Sequence, residues 1–127
     1  MPSFAATQRP EWNDANNALV GSGLSVVTLA YLRRYLAFLA GLFGESGRFA
    51  ISAEVAAWLR RIHRTLVAHA SCLAAARVDD RSRRAVLDDL GRAFSDYRAV
   101  VYERGLSERT DVTALEIAAL CRAALAY

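Results

Sequence analysis

Proline occurs only at positions 2 and 10, so no residue from 11 to 127 removes a helical N–H or clashes with a preceding turn. Ala is the commonest residue, and with Leu and Arg it makes a background of strong helix formers. On that background apolar residues recur every three or four positions, which is the spacing of one helix face. The chain is therefore expected to be all-α: about four helices in antiparallel hairpins, forming a single domain over 1–127. No strand is expected.

The spacing predicts a first helix from about Ser22 to Gly44. Leu24, Val27, Tyr31, Tyr35, Phe38 and Leu42 mark one stripe, and Leu29, Leu32, Leu36, Leu39 and Phe43 a second. Two apolar stripes predict burial on most sides, so this helix calls for neighbours nearly all round. "GESGRFAIS" reads as a loop, and Ser52 as the N-cap of a second helix with Glu54 in its first turn. Val55, Trp58, Leu59, Ile62, Leu66 and Leu73 would line that helix. A third should start at Asp79 or Asp80 and stop at Gly105, packing on the second through Leu87, Leu90, Phe94, Tyr97 and Val101. In the fourth, Thr113 and Glu116 fit a capping box ahead of Ile117, Leu120 and Cys121. The first three helices would each be roughly 30–38 Å long.

Hydrophobic content of 54% and aromatic content of 9% exclude a disordered chain. All sixteen basic residues are Arg, and the net charge is +3. Acids are interleaved with them, as in "RVDDRSRRAVLDDLGR", which reads as a salt-bridged surface and disfavours nucleic acid as a partner. Arg33 and Arg34 interrupt the most apolar segment, Leu24 to Phe43. Each would cost about 2.5–3.5 kcal/mol at mid-bilayer, so no membrane span is expected. Cys72 and Cys121 lack the spacing of a disulfide framework, and no basic-then-apolar leader is visible; a cytoplasmic setting is expected. His63 and His69 are six apart, and His69 shares a helix face only with Cys72, so no metal site is expected.

The stretch with its own chemistry is "RPEWNDANNALVGSGLS", from Arg9 to Ser25. Trp12 offers a flat apolar face and one donor, suited to stacking on a sugar ring. Asp14 could serve as a general acid. The amides of Asn13, Asn16 and Asn17 both donate to and accept from hydroxyls. Gly21 and Gly23 let backbone approach a ligand closely. The same residues also suit a capped helix start, with Asp14 and the asparagines holding free N–H groups and Trp12 folded over as a staple. From residues alone both readings stand.

"W-N-D-A-N-N" resembles the W-N-D-G-x-N motif of cellobiose phosphorylases and related disaccharide phosphorylases. Trp12, Asn13, Asp14 and Asn17 match it, while Ala15 stands in place of its glycine. "GSGLSVVTL" is similar to that family's Gly-rich turn into an inner helix, with Leu24 where an acid is usual, and Glu11 precedes the Trp where an Asp is common. The resemblance covers residues 9–32 and implies a portion of an (α/α)6 toroid, with 1–21 as a site-bearing N-terminal loop. It implies an inverting glycoside hydrolase or phosphorylase acting on an oligosaccharide or disaccharide. Asp14 would be the catalytic acid. Trp12, Asn13, Asn17 and the auxiliary Glu11 would bind substrate. No cofactor is implied beyond inorganic phosphate as co-substrate. A second copy or the remaining toroid segment would cover the first helix. The alternative is a non-catalytic helical module for protein–protein interaction.

Overall fold

The computed structural model describes residues 26–44 and 46–127. Among them are four α-helices and two short strands: α1 (Val26–Leu42), β1 (Arg48–Ser52), α2 (Ala53–Ala68), α3 (Asp80–Arg104), β2 (Arg109–Thr113) and α4 (Ala114–Leu125). A 3-10 turn over Ala70–Ala74 follows α2. The chain divides into two units, Met1–Tyr35 and Leu36–Tyr127. The described part of the first is the beginning of α1. The second holds everything else.

The helical character follows the sequence, and the caps are where local chemistry puts them. Asp79 begins α3 by accepting from the Ser82 N–H at 2.9 Å and the Ser82 hydroxyl at 2.7 Å, which hold its carboxyl below the usual range. Gly105 ends it at φ 76°, a conformation a side chain would strain, with its N–H bonded to the Val101 carbonyl. At α4 the Thr113 hydroxyl accepts from the Glu116 N–H at 3.1 Å, and the Glu116 carboxylate accepts from the Thr113 N–H at 2.7 Å. That is the expected capping box. Ser52 is the N-cap of α2, but its side chain makes no capping bond.

Two strands correct the expectation of none. β1 and β2 form an antiparallel pair with Arg48 opposite Thr113 and Ser52 opposite Arg109. Each runs straight into a helix, β1 into α2 and β2 into α4. The ladder continues past the strands through Ala53 N–H to Glu108 C=O and Ala114 N–H to Gly47 C=O, both 2.9 Å. Five residues are too few for a period-two pattern to stand out, and their partners lie some sixty positions away. "GESGRFAIS" is therefore half strand, not loop.

α2 is the central element, packed on both α3 and α4. Glu54 meets Ser107, Trp58 stacks on Tyr97 and His69 bonds Asp89, so α2 and α3 run antiparallel as a helical hairpin. Arg60 meets Glu116 and Leu66 meets Tyr127, so α4 runs in the same direction as α2. Small residues make the closest approaches: Ala56, Ala93, Ala114 and Ala118 are buried, with Leu66, Val112 and Cys121.

Two expectations about packing change. On α3, Phe94 and Tyr97 of the expected seam do meet Trp58 of α2, and Leu90 and Val101 are half-buried, but Leu87 is 66% exposed and the fully buried α3 residue is Ala93. α2 stops at Ala68 and tightens into the 3-10 turn, so Leu73 is not on the helix; α1 and α2 are each about 25 Å long and only α3 reaches about 37 Å. Among the described residues, most of the apolar side chains of the first helix are open. Tyr31 is 66% exposed, Phe38 63% and Leu42 59%, with Val26, Val27, Leu29, Leu32 and Tyr35 also open.

Glu116 gives a test of the capping network. Its carboxyl titrates at about 2, chiefly because the Thr113 N–H and then the Arg60 side chain bond the charged form. A carboxyl depressed from its ordinary 4.5 contributes fully above that value, and the contribution is lost as pH falls through about 2. Glu116→Ala should lower stability by about 1 kcal/mol at neutral pH in urea unfolding, and the gap to wild type should close on acidification through that window.

Candidate functional site

Glu11, Trp12, Asn13, Asp14 and Asn17 all lie outside the described residues, as do all of residues 1–21, expected to form a site-bearing loop. The geometry that is described belongs to the helices after that stretch, and it holds two grooves on either side of α2.

The larger, about 400 Å³, lies between α2 and α3. Its floor is aromatic: the Trp58 and Tyr97 rings stack with centroids 4.9 Å apart and 19° between planes, and Phe94 leans on Trp58 at 5.9 Å. The α-helical spacing of Glu54, Trp58 and Arg61 puts all three on the α2 wall, opposite Asp96 and Tyr97 on α3. Arg61 bridges the helices by donating to Asp96 at 2.5 Å. Glu54 uses one carboxylate oxygen, Oε1, to accept from the Ser107 N–H and the Ser107 hydroxyl. Those bonds hold its carboxyl below the usual range, so it is ionised at neutral pH. Glu54 Oε2 and the Trp58 indole N–H are buried without a hydrogen-bond partner among the described residues. Buried polar atoms are mostly satisfied, so two such atoms one turn apart on the wall of one groove mark a place that favours a guest with complementary groups.

The smaller groove, about 220 Å³, lies between α2 and the β2–α4 segment. Its polar side is already committed. Arg60 donates to Glu116 at 2.9 Å and to the Asp111 carbonyl at 3.0 Å, which ties three elements together.

The remaining titratable groups are also mostly engaged. His69 Nε2 and Asp89 are 2.6 Å apart, linking the end of α2 to α3, and Arg92 donates to the other oxygen of Asp89. Cys72 and Cys121 are both free thiols; Cys121 is buried, and burial pushes its pKa up, away from the reactive thiolate. Arg60, Arg61, Arg83 and Arg84 each bond an acid, as the interleaved charges led one to expect. Arg33 and Arg34 are exposed on α1. Among the described residues no group of three or more His, Cys, Asp or Glu could hold a metal ion, and no helix is long and apolar enough to cross a membrane.

The chain matches no family model and no curated protein. Nothing outside the molecule therefore weighs on the sugar motif, and the site must be argued from its own residues. Sequence reasoning placed Trp58 and Tyr97 on facing helices without seeing that they stack. The signal was present in the Glu54/Trp58 spacing of four, which puts an acceptor and a donor on one face.

The His69–Asp89–Arg92 link is expected to matter to stability. The His69 ring and then Arg92 hold the Asp89 carboxyl below its ordinary value, so this contribution is complete above the unfolded pKa and is lost as pH falls through the folded one. Asp89→Asn should lower the urea midpoint at pH 6, and the deficit should shrink steadily below about pH 4.

Proposed function

We propose that the chain is a helical-hairpin portion of a carbohydrate-active protein resembling an inverting glycoside hydrolase or disaccharide phosphorylase. The observation that carries the reading is the run Trp12, Asn13, Asp14 and Asn17, followed by Gly21 and Gly23 ahead of a long apolar helix. The α2–α3 hairpin is compatible with a toroid of such hairpins. In this reading Trp12 stacks on a sugar ring, Asn13, Asn17 and Glu11 hold its hydroxyls, and Asp14 gives its proton to the glycosidic oxygen as the bond breaks. Water or inorganic phosphate attacks the anomeric carbon from the opposite face, which inverts its configuration. The two free thiols suit the reducing cytoplasm.

The test is turnover of a disaccharide panel with phosphate present. Asp14→Asn should leave the helical circular-dichroism signal unchanged and cut turnover by about 100-fold or more, the usual contribution of a general acid. A sugar-dependent change in Trp12 emission, read in a Trp58→Phe background, should accompany wild-type activity. No turnover and no emission change across the panel overturn the reading.

A second reading, a non-catalytic interaction module, is favoured by one specific observation: the exposed apolar residues of α1. Contiguous exposed apolar surface of this kind marks an interaction face. A second copy of the chain covering α1 should make the protein sediment above its 13.9 kDa monomer mass. Tyr31→Glu combined with Phe38→Glu should return it to the monomer, since both side chains are exposed and their replacement costs the fold little. A wild-type chain that sediments as a strict monomer at all concentrations counts against this reading.

A further inference from the structure

We propose that the α2–α3 groove is a binding site for a neutral, hydroxyl-bearing ring, such as one sugar unit, built from residues 53–100 and using none of the 11–17 stretch. Three properties of the groove select that chemistry.

The first is charge. Arg61 and Arg64 on one side are balanced by Glu54 and Asp96, and Arg61 is already bonded to Asp96. A metal ion or an organic cation would meet two guanidinium groups, and an anion would meet two carboxylates. A neutral guest meets no net opposition.

The second is the pair of unpartnered atoms. Glu54 is ionised and its Oε1 is taken by Ser107, so Oε2 can only accept. The Trp58 indole N–H can only donate. A hydroxyl is the simple group that does both, giving its proton to Oε2 and taking the indole hydrogen on its lone pair. Adjacent hydroxyls on one ring satisfy the two separately. Both atoms are closed to water-sized contact, so the guest reaches them by displacing the side chains that cover them.

The third is the floor. Stacked Trp58 and Tyr97 present apolar ring surface beside these polar atoms. A sugar ring has the matching pattern, with C–H groups on its faces and hydroxyls around its rim. A concavity of about 400 Å³ is at the lower end of the usual range for small-molecule sites and accommodates one or two such rings.

The chain has two tryptophans, Trp12 and Trp58, which makes the site separable from the Asp14 stretch. In a Trp12→Phe background Trp58 alone reports. Titration with glucose and with cellobiose should give a saturable change in its emission at millimolar concentration, and tetrahydropyran, a ring with no hydrogen-bond donor for Oε2, should give none. Ala57 is exposed on the groove wall, so Ala57→Leu fills the groove without disturbing the core and should abolish the response. Glu54→Gln keeps the side-chain shape but loses the anionic acceptor, and should weaken binding about tenfold, the usual worth of a hydrogen bond to a charged group. Thermal unfolding shows that each variant is folded. A groove that takes up only water gives no saturable signal with either sugar, which overturns the proposal. So does a response that survives Ala57→Leu, or one that Glu54→Gln leaves unchanged. Asp14→Asn should leave the Trp58 signal intact, so failure here and failure of the Asp14 reading are told apart.

Discussion

The junction around Arg60 holds the described fold together. Its guanidinium bonds the Glu116 carboxylate and the Asp111 carbonyl, while Glu116 closes the capping box with Thr113. One side chain from α2 thus meets the last strand and the first turn of the last helix. Arg60 and Glu116 are each about two-fifths exposed, and an isolated pair so placed would be worth little. Its weight comes from geometry: the carboxylate satisfies a backbone N–H that no helix bond can reach, and the arginine satisfies a strand carbonyl as well. At the other end of α2 the Tyr127 hydroxyl donates to the Leu66 carbonyl at 2.7 Å, one of the acceptors left over where the helix stops.

This junction sets where the grooves lie. With α4 drawn against one side of α2, the other side is left to α3, where Ala93 is the buried residue of α3 and Phe94 and Tyr97 meet Trp58. Trp58 and Tyr97 line the groove there, with Phe94 leaning on Trp58 outside it. Close packing through alanine and an aromatic trough are two consequences of one choice. Ala-rich helices approach closely, and bulky groups collect wherever the approach opens out.

Much of this was legible in the sequence, because helices are written locally. The N-cap at Asp79, the stop at Gly105 and the box of Thr113 and Glu116 each lie within a few residues of the group they serve. The two strands were hidden because their hydrogen bonds join residues 48–52 to 109–113, and no local pattern encodes that pairing. The α3 seam was legible only in part for a related reason. Periodicity identifies a face, but whether that face meets its neighbour through Ala93 or through Leu87 depends on the distance between helix axes. The motif residues 11–17 remain a matter of sequence, and the groove residues a matter of structure.

What the chain dictates by itself is the number and type of its helices and most of their ends, since those follow from proline placement, i to i+4 bonding and capping within one segment. Tertiary structure alone decided that β1 and β2 pair, that α2 lies between α3 and α4, and that Glu54 and Trp58 are left with atoms that no group among the described residues completes. These depend on contacts between residues far apart in sequence, whose distances are set only when the segments have packed.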